Sequence, residues 1–342
     1  NVMKDAESVL FTPLLEGFTS LPPGARILYL NAQAGPGLQS LAKDHRLVLQ
    51  QHFFPLAQTL NDQGFVTAAE IPAGAFDAVL LALPKNWLEA RYLLARGLEA
   101  LVDGGLLIAA GGNKAGGARL KKALQEFGLP DVRDLSRNKA RAAWGIKQDP
   151  ATGVIAEALA AGTMQPILDG AFVSMPGLFS WDRADLGSQI LLQHLPKTLV
   201  GGGADFGCGY GALARPVVRI SGVTSLLCAD ADARALAACR ENLSKEGSVA
   251  LDYLWADLTR PLALSAPLDW VVTNPRFHTG KAQDVSVGLG FIRTAQAALR
   301  PGGQLWMVAN AHLPYEQVLQ QNFRECGKIF EGDGFKVFCG VK

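Results

Sequence analysis

Ala204-Asp-Phe-Gly-Cys-Gly-Tyr-Gly211 follows an apolar, strand-like run and leads into an apolar, helix-forming run from Ala212 to Val218. Glycines at 207, 209 and 211 let the chain turn sharply and bring bare backbone against a ligand. A helix beginning just beyond would point its unbonded N–H groups at the same place. Strand, glycine loop and helix in this order read as a nucleotide cradle of the Rossmann kind. The spacing is not the G-x-G-x-x-G of a dinucleotide fingerprint. Asp205, two residues before the first of these glycines, suits a ligand with a positive amino group and no phosphate. S-adenosylmethionine is such a ligand, and a nicotinamide cofactor fits neither the spacing nor the acid. Cofactor contacts are therefore expected from Asp205, Gly207, Cys208, Gly209 and Gly211.

Working outward, acids and amides stand at the ends of the neighbouring strand-like runs. Asp230 closes the run Ser225 to Ala229, about 25 residues on from Asp205, near the usual offset for the acid that binds ribose hydroxyls. Asp257, with Leu258 beside it, follows the run Leu251 to Ala256, where a carboxylate would accept from the adenine amine. Asn274-Pro275-Arg276-Phe277 ends the run Asp269 to Thr273, at the carboxyl edge where α/β proteins hold ligands. Methyl transfer to an exocyclic amine needs the nitrogen lone pair aimed at the donor and the amine hydrogens held by acceptors. The Asn274 side-chain oxygen and the Pro275 carbonyl can be those acceptors, and Phe277 can stack the base. No strong base is needed, because the amine becomes acidic only after attack. Cys208 has no histidine near it in sequence and reads as a packing residue, His278 reads as an inert loop-edge residue or one that shuttles a proton or touches RNA, and His312 has no visible partner.

The chain has 342 residues, enough for two ordinary domains. At 49% hydrophobic and 18% charged it can bury large cores. A net charge of +1 excludes a globally basic nucleic-acid binder but permits a local basic patch. The five cysteines include no C-x-x-C pair, so they read as reduced thiols of a cytoplasmic protein, with no metal site. No apolar run approaches the roughly 20 residues of a membrane span.

The two halves repeat one order of elements. Ile27 to Gly37 answers Ala204 to Gly211, and Asp77 to Pro84 answers Asp269 to Pro275. Asp103-Gly-Gly answers Pro301-Gly-Gly, and Ala142 to Lys147 answers Phe335 to Lys342. This predicts an α/β fold of two tandem Rossmann-like methyltransferase domains: 1–150, a linker over 151–171, and 172–342. The first loop has no acid where Asp205 sits, so the N-terminal copy is expected to be degenerate, a scaffold or recognition module. Helices are expected over 1–24, 89–102, 118–127 and 189–195. Lys114, Arg119, Lys121, Lys122, Arg137 and Arg141 lie in a basic run of that first half, as a phosphate-contacting face would need.

With these residues in view, the chain resembles the bacterial rRNA guanine-N2 methyltransferases, and above all the small-subunit methyltransferase C family. The resemblance is carried by Pro84-Lys-Asn86, Pro176-Gly-Leu-Phe-Ser180, Asp185-Leu-Gly-Ser188, Asn274-Pro-Arg-Phe-His278, Val308 to Tyr315 and Phe335-Lys-Val-Phe338. It implies a degenerate, RNA-binding N-terminal domain and a C-terminal domain using S-adenosylmethionine on a guanine N2 of 16S rRNA. It also implies that Phe179, Asp185 and Ser188 cover the cofactor. The expected partner is rRNA or the small ribosomal subunit, with no membrane and a monomeric chain. Arg276 departs from the family's Asn-Pro-Pro-Phe. Losing that proline frees φ and adds a charge beside the target amine, so Arg276 either meets a phosphate or weakens the active loop. A large-subunit guanine-N2 methyltransferase and a non-catalytic rRNA-binding or assembly protein of the same fold are the alternatives.

Overall fold

Near-continuous apolar runs in each half build a seven-stranded sheet whose two faces are both covered, as a mostly parallel sheet requires. The computed structural model describes residues 2–275 and 281–342. The chain divides into two compact units, Asn1–Thr163 and Met164–Lys342.

The first unit runs α1 (Val2–Leu15), β1 (Arg26–Leu30), α2 (Pro36–Leu41), β2 (Arg46–Gln50), α3 (Phe54–Asp62), β3 (Thr67–Ala68) and β4 (Phe76–Ala82). It continues with α4 (Trp87–Ala100), β5 (Leu101–Gly112), a 3-10 turn at Gly117–Arg119, α5 (Leu120–Glu126), β6 (Arg133–Arg137), β7 (Ala140–Ile146) and α6 (Thr152–Gly162). The second unit opens with the hairpin β8 (Gln165–Ile167) and β9 (Phe172–Ser174), then α7 (Leu186–His194), β10 (Gly201–Phe206), α8 (Ala214–Val218), β11 (Val223–Asp230) and α9 (Ala233–Asn242). It ends with β12 (Ala250–Trp255), β13 (Leu268–Thr273), α10 (Lys281–Ala298), β14 (Leu299–Asn310), α11 (Glu316–Asn322), β15 (Glu325–Gly332) and β16 (Phe335–Val341).

Both sheets have the same strand order, β3-β2-β1-β4-β5-β7-β6 and β12-β11-β10-β13-β14-β16-β15, with the last two strands antiparallel. The repeat reaches single hydrogen bonds. Asp77 accepts from the Arg26 amide and Asp269 from the Gly202 amide, each at 2.8 Å. Lys147 Nζ donates to the Leu101 carbonyl and Lys342 Nζ to the Leu299 carbonyl, at 2.9 and 2.8 Å. Identical side-chain bonds at matching register positions are what a duplicated domain leaves behind.

In the second unit, Leu226, Cys228, Trp270, Val272, Trp306 and Val308 face α7, α8 and α9. Ala204, Phe206, Val271, Leu305 and Met307 face α10 and α11. The two-residue period of each strand thus feeds two cores, one on each face.

The element ends depart from the sequence reading for local reasons. The first helix stops at Leu15, not Gly24, because Gly17 takes a left-handed φ of 76° just past its end. α4 starts at Trp87 because the Asn86 side chain accepts from the Glu89 amide at 3.1 Å. α7 starts at Leu186 because Asp185 caps it in the same way. Helix α8 is only five residues long, so the glycine loop itself forms most of the cradle. Residues 151–171 are not bare linker: they carry α6, which belongs to the first unit, and β8, which belongs to the second. Among the described residues no helix is long and apolar enough to cross a membrane.

Candidate active site

Gly207, Gly209 and Gly211 all have positive φ, at 78°, 54° and 100°, a backbone that side-chain-bearing residues rarely adopt. The loop is pinned to the neighbouring strand. The Gly207 and Cys208 amides both donate to the Ala229 carbonyl, at 2.8 and 3.1 Å. The Gly209 amide donates to Asp230 Oδ2 at 2.9 Å, and the Asp232 amide to Oδ1 at 2.8 Å. Asp230 therefore holds the loop from the end of β11. Burial pushes its carboxyl up to about 6, against the lowering effect of the Asp232 and Gly209 amides.

Asp205 is 1% exposed, and among the described residues neither of its oxygens has a hydrogen-bond partner. Burial, then the nearness of Cys228 and Asp230, raises its carboxyl well above the usual range. A buried, unpartnered acid is costly to keep. Beside it lie three buried free thiols, Cys208, Cys228 and Cys239. Hydrogen bonds with Cys228 and Cys239, and burial, push the Cys208 thiol well above its ordinary range. No group of His, Cys, Asp or Glu among the described residues could hold a metal ion.

β10 and β13 are adjacent and parallel, with Asp205 opposite Val272 and Phe206 opposite Thr273. Their carboxyl ends bring the glycine loop and Asn274 side by side, about one strand spacing apart. Thr273 Oγ1 donates to the Phe206 carbonyl at 2.7 Å and locks the two tips together. Asn274 Nδ2 donates to Asp185 Oδ2 and, at 3.0 Å, to Ser188 Oγ. Asp185 and Ser188 are thus placed against the amide by the start of α7. Pro275 is buried next to Asn274. Arg276, Phe277 and His278 lie outside the described residues.

The segment before α7 straps the loop, through residues that sequence reasoning missed. Asn242 Nδ2 donates to the Tyr210 carbonyl at 2.6 Å and the Val173 carbonyl at 2.8 Å, and its oxygen accepts from the Val173 amide at 2.7 Å. Tyr210 donates to the Arg183 carbonyl at 2.9 Å. Arg215 lies 3.5 Å over the Phe172 ring, which meets Tyr210 edge-on. Phe179 stays 36% exposed on this strap. Asp257 accepts from the Thr259 amide and hydroxyl at 2.9 and 2.6 Å, and Leu258 is buried.

The first unit holds other residues at the same register positions. Tyr29 stands opposite Leu80, three residues past Asp77, as Asp205 stands opposite Val272, three past Asp269. Gln51 accepts from the amide two residues on, as Asp230 does. Ala82 takes the place of Asn274. The basic run of this unit is largely paired: Lys121 and Arg141 with Asp134, Lys122 with Glu126 and Arg137 with Glu16. Arg119 lies 4.2 Å over the Trp87 ring, and Lys114 is exposed.

Known proteins match both units. The methyltransferase small domain family matches residues 169–339, and the methyltransferase small domain N-terminal family matches 24–138. The ribosomal RNA small subunit methyltransferase C of Pseudomonas paraeruginosa is 36% identical over 273 residues, 78% of this chain and 80% of that one. Its counterpart in Shewanella loihica is 31% identical over 283 residues, 78% of each chain. Among solved structures, the T. thermophilus 16S rRNA methyltransferase acting at N2 of guanine 1207, in complex with AdoMet and guanosine, matches at TM-score 0.81 and 27% identity, over 98% of this chain and 91% of that one. With relatives this similar over most of its length, the chain belongs to the ribosomal RNA small subunit methyltransferase C family.

Proposed function

We propose that this protein methylates the exocyclic N2 of a guanine in 16S rRNA, guanine 1207 by analogy with the T. thermophilus relative. The observation that carries the reading is the adjacency of two strand tips, one bearing the Asp205–Gly211 cradle and the other Asn274. The cradle suits S-adenosylmethionine because Asp205 is a buried acid awaiting a cationic partner and the glycine backbone leaves room for close approach. That cofactor supplies an electrophilic methyl on a sulfonium sulfur. Asp230 accepts from hydroxyls at the end of β11, and Asp257 and Leu258 flank the next strand end. Phe179 covers the cradle from the strap.

Asn274 Oδ1 and the Pro275 carbonyl accept the two amine hydrogens of the guanine. Held this way, the nitrogen lone pair points toward the cradle, and Phe277 stacks the base. Orientation supplies the rate, and the proton leaves to water once the amine has become positive. The first unit contacts RNA through Arg119 on Trp87, Lys114 and the partly paired Lys121, Lys122, Arg137 and Arg141, with Arg276 reaching a phosphate near the target. The protein acts as a monomer in the cytoplasm.

Methyl incorporation into 16S rRNA and into small subunits tests this. Asn274→Ala should lower incorporation by about 100-fold, the usual scale for a lost transition-state contact. Equal incorporation removes Asn274 from the chemistry. Mapping the methyl to 23S rRNA would favour the large-subunit alternative. Arg276, in place of the family proline, favours a non-catalytic assembly protein, a reading that calorimetry would support if S-adenosylmethionine failed to bind.

A further inference from the structure

We infer that Asp185 and Ser188 are positioning residues that fix which end of the Asn274 amide faces the reacting amine. This rests on the role proposed for Asn274 and assigns the strap a task beyond covering the cofactor. An asparagine amide has a donating and an accepting end of nearly equal size, and nothing in its shape selects one. Only the oxygen can accept a hydrogen from the guanine amine. A flipped amide would set N–H against N–H and turn the amine away.

The surroundings make the selection. Asp185 Oδ2 accepts from Asn274 Nδ2, and an ionised carboxylate can only accept, so it admits the nitrogen end alone. Ser188 Oγ takes the second hydrogen of the same nitrogen at 3.0 Å. Both of these bonds are made by the nitrogen, which turns the oxygen to the opposite side of the amide. Asp185 is itself fixed, because the same Oδ2 accepts from the Ser188 amide at 2.9 Å and caps α7. The segment leading to it is tied to the glycine loop by the Tyr210 hydroxyl on the Arg183 carbonyl. A continuous set of bonds therefore runs from the cofactor loop, through Arg183 and Asp185, to the amide at the neighbouring strand tip.

Asp185→Asn tests this with the cap kept, since asparagine caps helices as well as aspartate. The residue then offers both a donor and an acceptor, and Asn274 loses its fixed sense. Turnover at saturating cofactor and RNA should fall on the order of 10- to 100-fold, a larger effect than any change in S-adenosylmethionine affinity by calorimetry. In an Asn274→Ala background the same substitution should cost nothing more, because the group it orients is gone. Asn274→Asp alone sets two carboxylates together and should be nearly inactive. Asp185→Asn with Asn274→Asp restores one donor facing one acceptor and should recover a substantial part of the rate. A loss of cofactor affinity with turnover intact would overturn the inference, as would an Asp185→Asn loss that persists beside Asn274→Ala. Wild-type turnover in Asn274→Ala alone would instead remove the role proposed for Asn274, and this inference with it.

Discussion

Asp205→Asn should make the cofactor-free protein more stable and its cofactor binding worse. The side chain is almost wholly buried, neither oxygen has a partner among the described residues, and its proton is held well above the ordinary carboxylate range. An acid raised in the folded state stabilises fully only below the unfolded value of 3.8, and that contribution is lost as pH climbs toward the folded value. At pH 7 the unfolded chain releases this proton freely, which sets a ceiling of about 4 kcal/mol on the cost. Asparagine carries no such proton but stays a buried polar group, so the variant should gain up to about 4 kcal/mol at pH 7, at most several degrees of melting temperature in a unit of this size. Near pH 4 the two proteins should converge. Binding should move the other way, because removing one partner of a buried charge pair costs about 2–5 kcal/mol, at least 30-fold in affinity. Thermal and urea unfolding from pH 4 to 8, with calorimetry of S-adenosylmethionine, measure both quantities. A variant that is less stable at pH 7 and binds the cofactor normally would refute the reasoning.

Asp230 gives a second pH signature. Its carboxyl lies at about 6, and only the ionised form accepts from two hydroxyls, so cofactor affinity should rise as pH passes through 6 and flatten in Asp230→Asn. Titration calorimetry from pH 5 to 8 checks this, and a wild-type profile flat through 6 would exclude the role. In the first unit, a Cβ on Gly37 would come within 2.6 Å of the Phe11 ring, so Gly37→Ala should cost about 1–3 kcal/mol in unfolding, with relief in Phe11→Ala. Unchanged stability in Gly37→Ala would show that the ring yields freely. Calorimetry should also find one S-adenosylmethionine per chain, before and after Tyr29→Asp, and a second site in either protein would contradict the filling of the first cradle.

What was legible in the sequence is what adjacent residues decide together. The glycine loop, Asp230 and Asn274 each sit where a strand stops, and strand ends show as apolar runs closed by Gly, Asp or Asn-Pro. The repeat was legible for the same reason, since Gly104-Gly105 and Gly302-Gly303 mark the same turn in each copy. What the sequence hid was set by long-range contact. Asp185 and Ser188 meet Asn274 from more than 80 residues away, and Arg137 finds Glu16 from the far end of its unit. The basic run looked more available than it is, because its acids arrive from other elements. The whole span from Arg46 to Ala68, which carries β2, α3 and β3, drew no reading, its strands being short and half-polar at the sheet edge.

The two copies show how a fold sheds one site while keeping its frame. Asp77 and Asp269, Lys147 and Lys342 make the same bonds in each sheet, so the strand order needs no cofactor to hold it. The two copies differ at the strand tips, and there the first unit packs its own side chains against its loop. Tyr29 stands in the place of Asp205 and packs edge-on against Phe11. Helix α1 lowers Glu7 onto Gly35 and Phe11 onto Gly37, so the loop glycines now make room for a helix of the same chain. Glu7 is 5% exposed, and burial raises its carboxyl against a smaller lowering effect of the nearby Leu38 and Gly37 amides. A carboxylate of the protein thus stands against the loop at the start of α2, on the side where the backbone N–H groups of a helix N-terminus point. In the second unit the helix before the central strand, α7, is capped by Asp185, which accepts from Asn274 at the neighbouring strand tip. The helix ahead of the central strand therefore sets its side chains against the loop glycines in the first unit and against the neighbouring strand tip in the second.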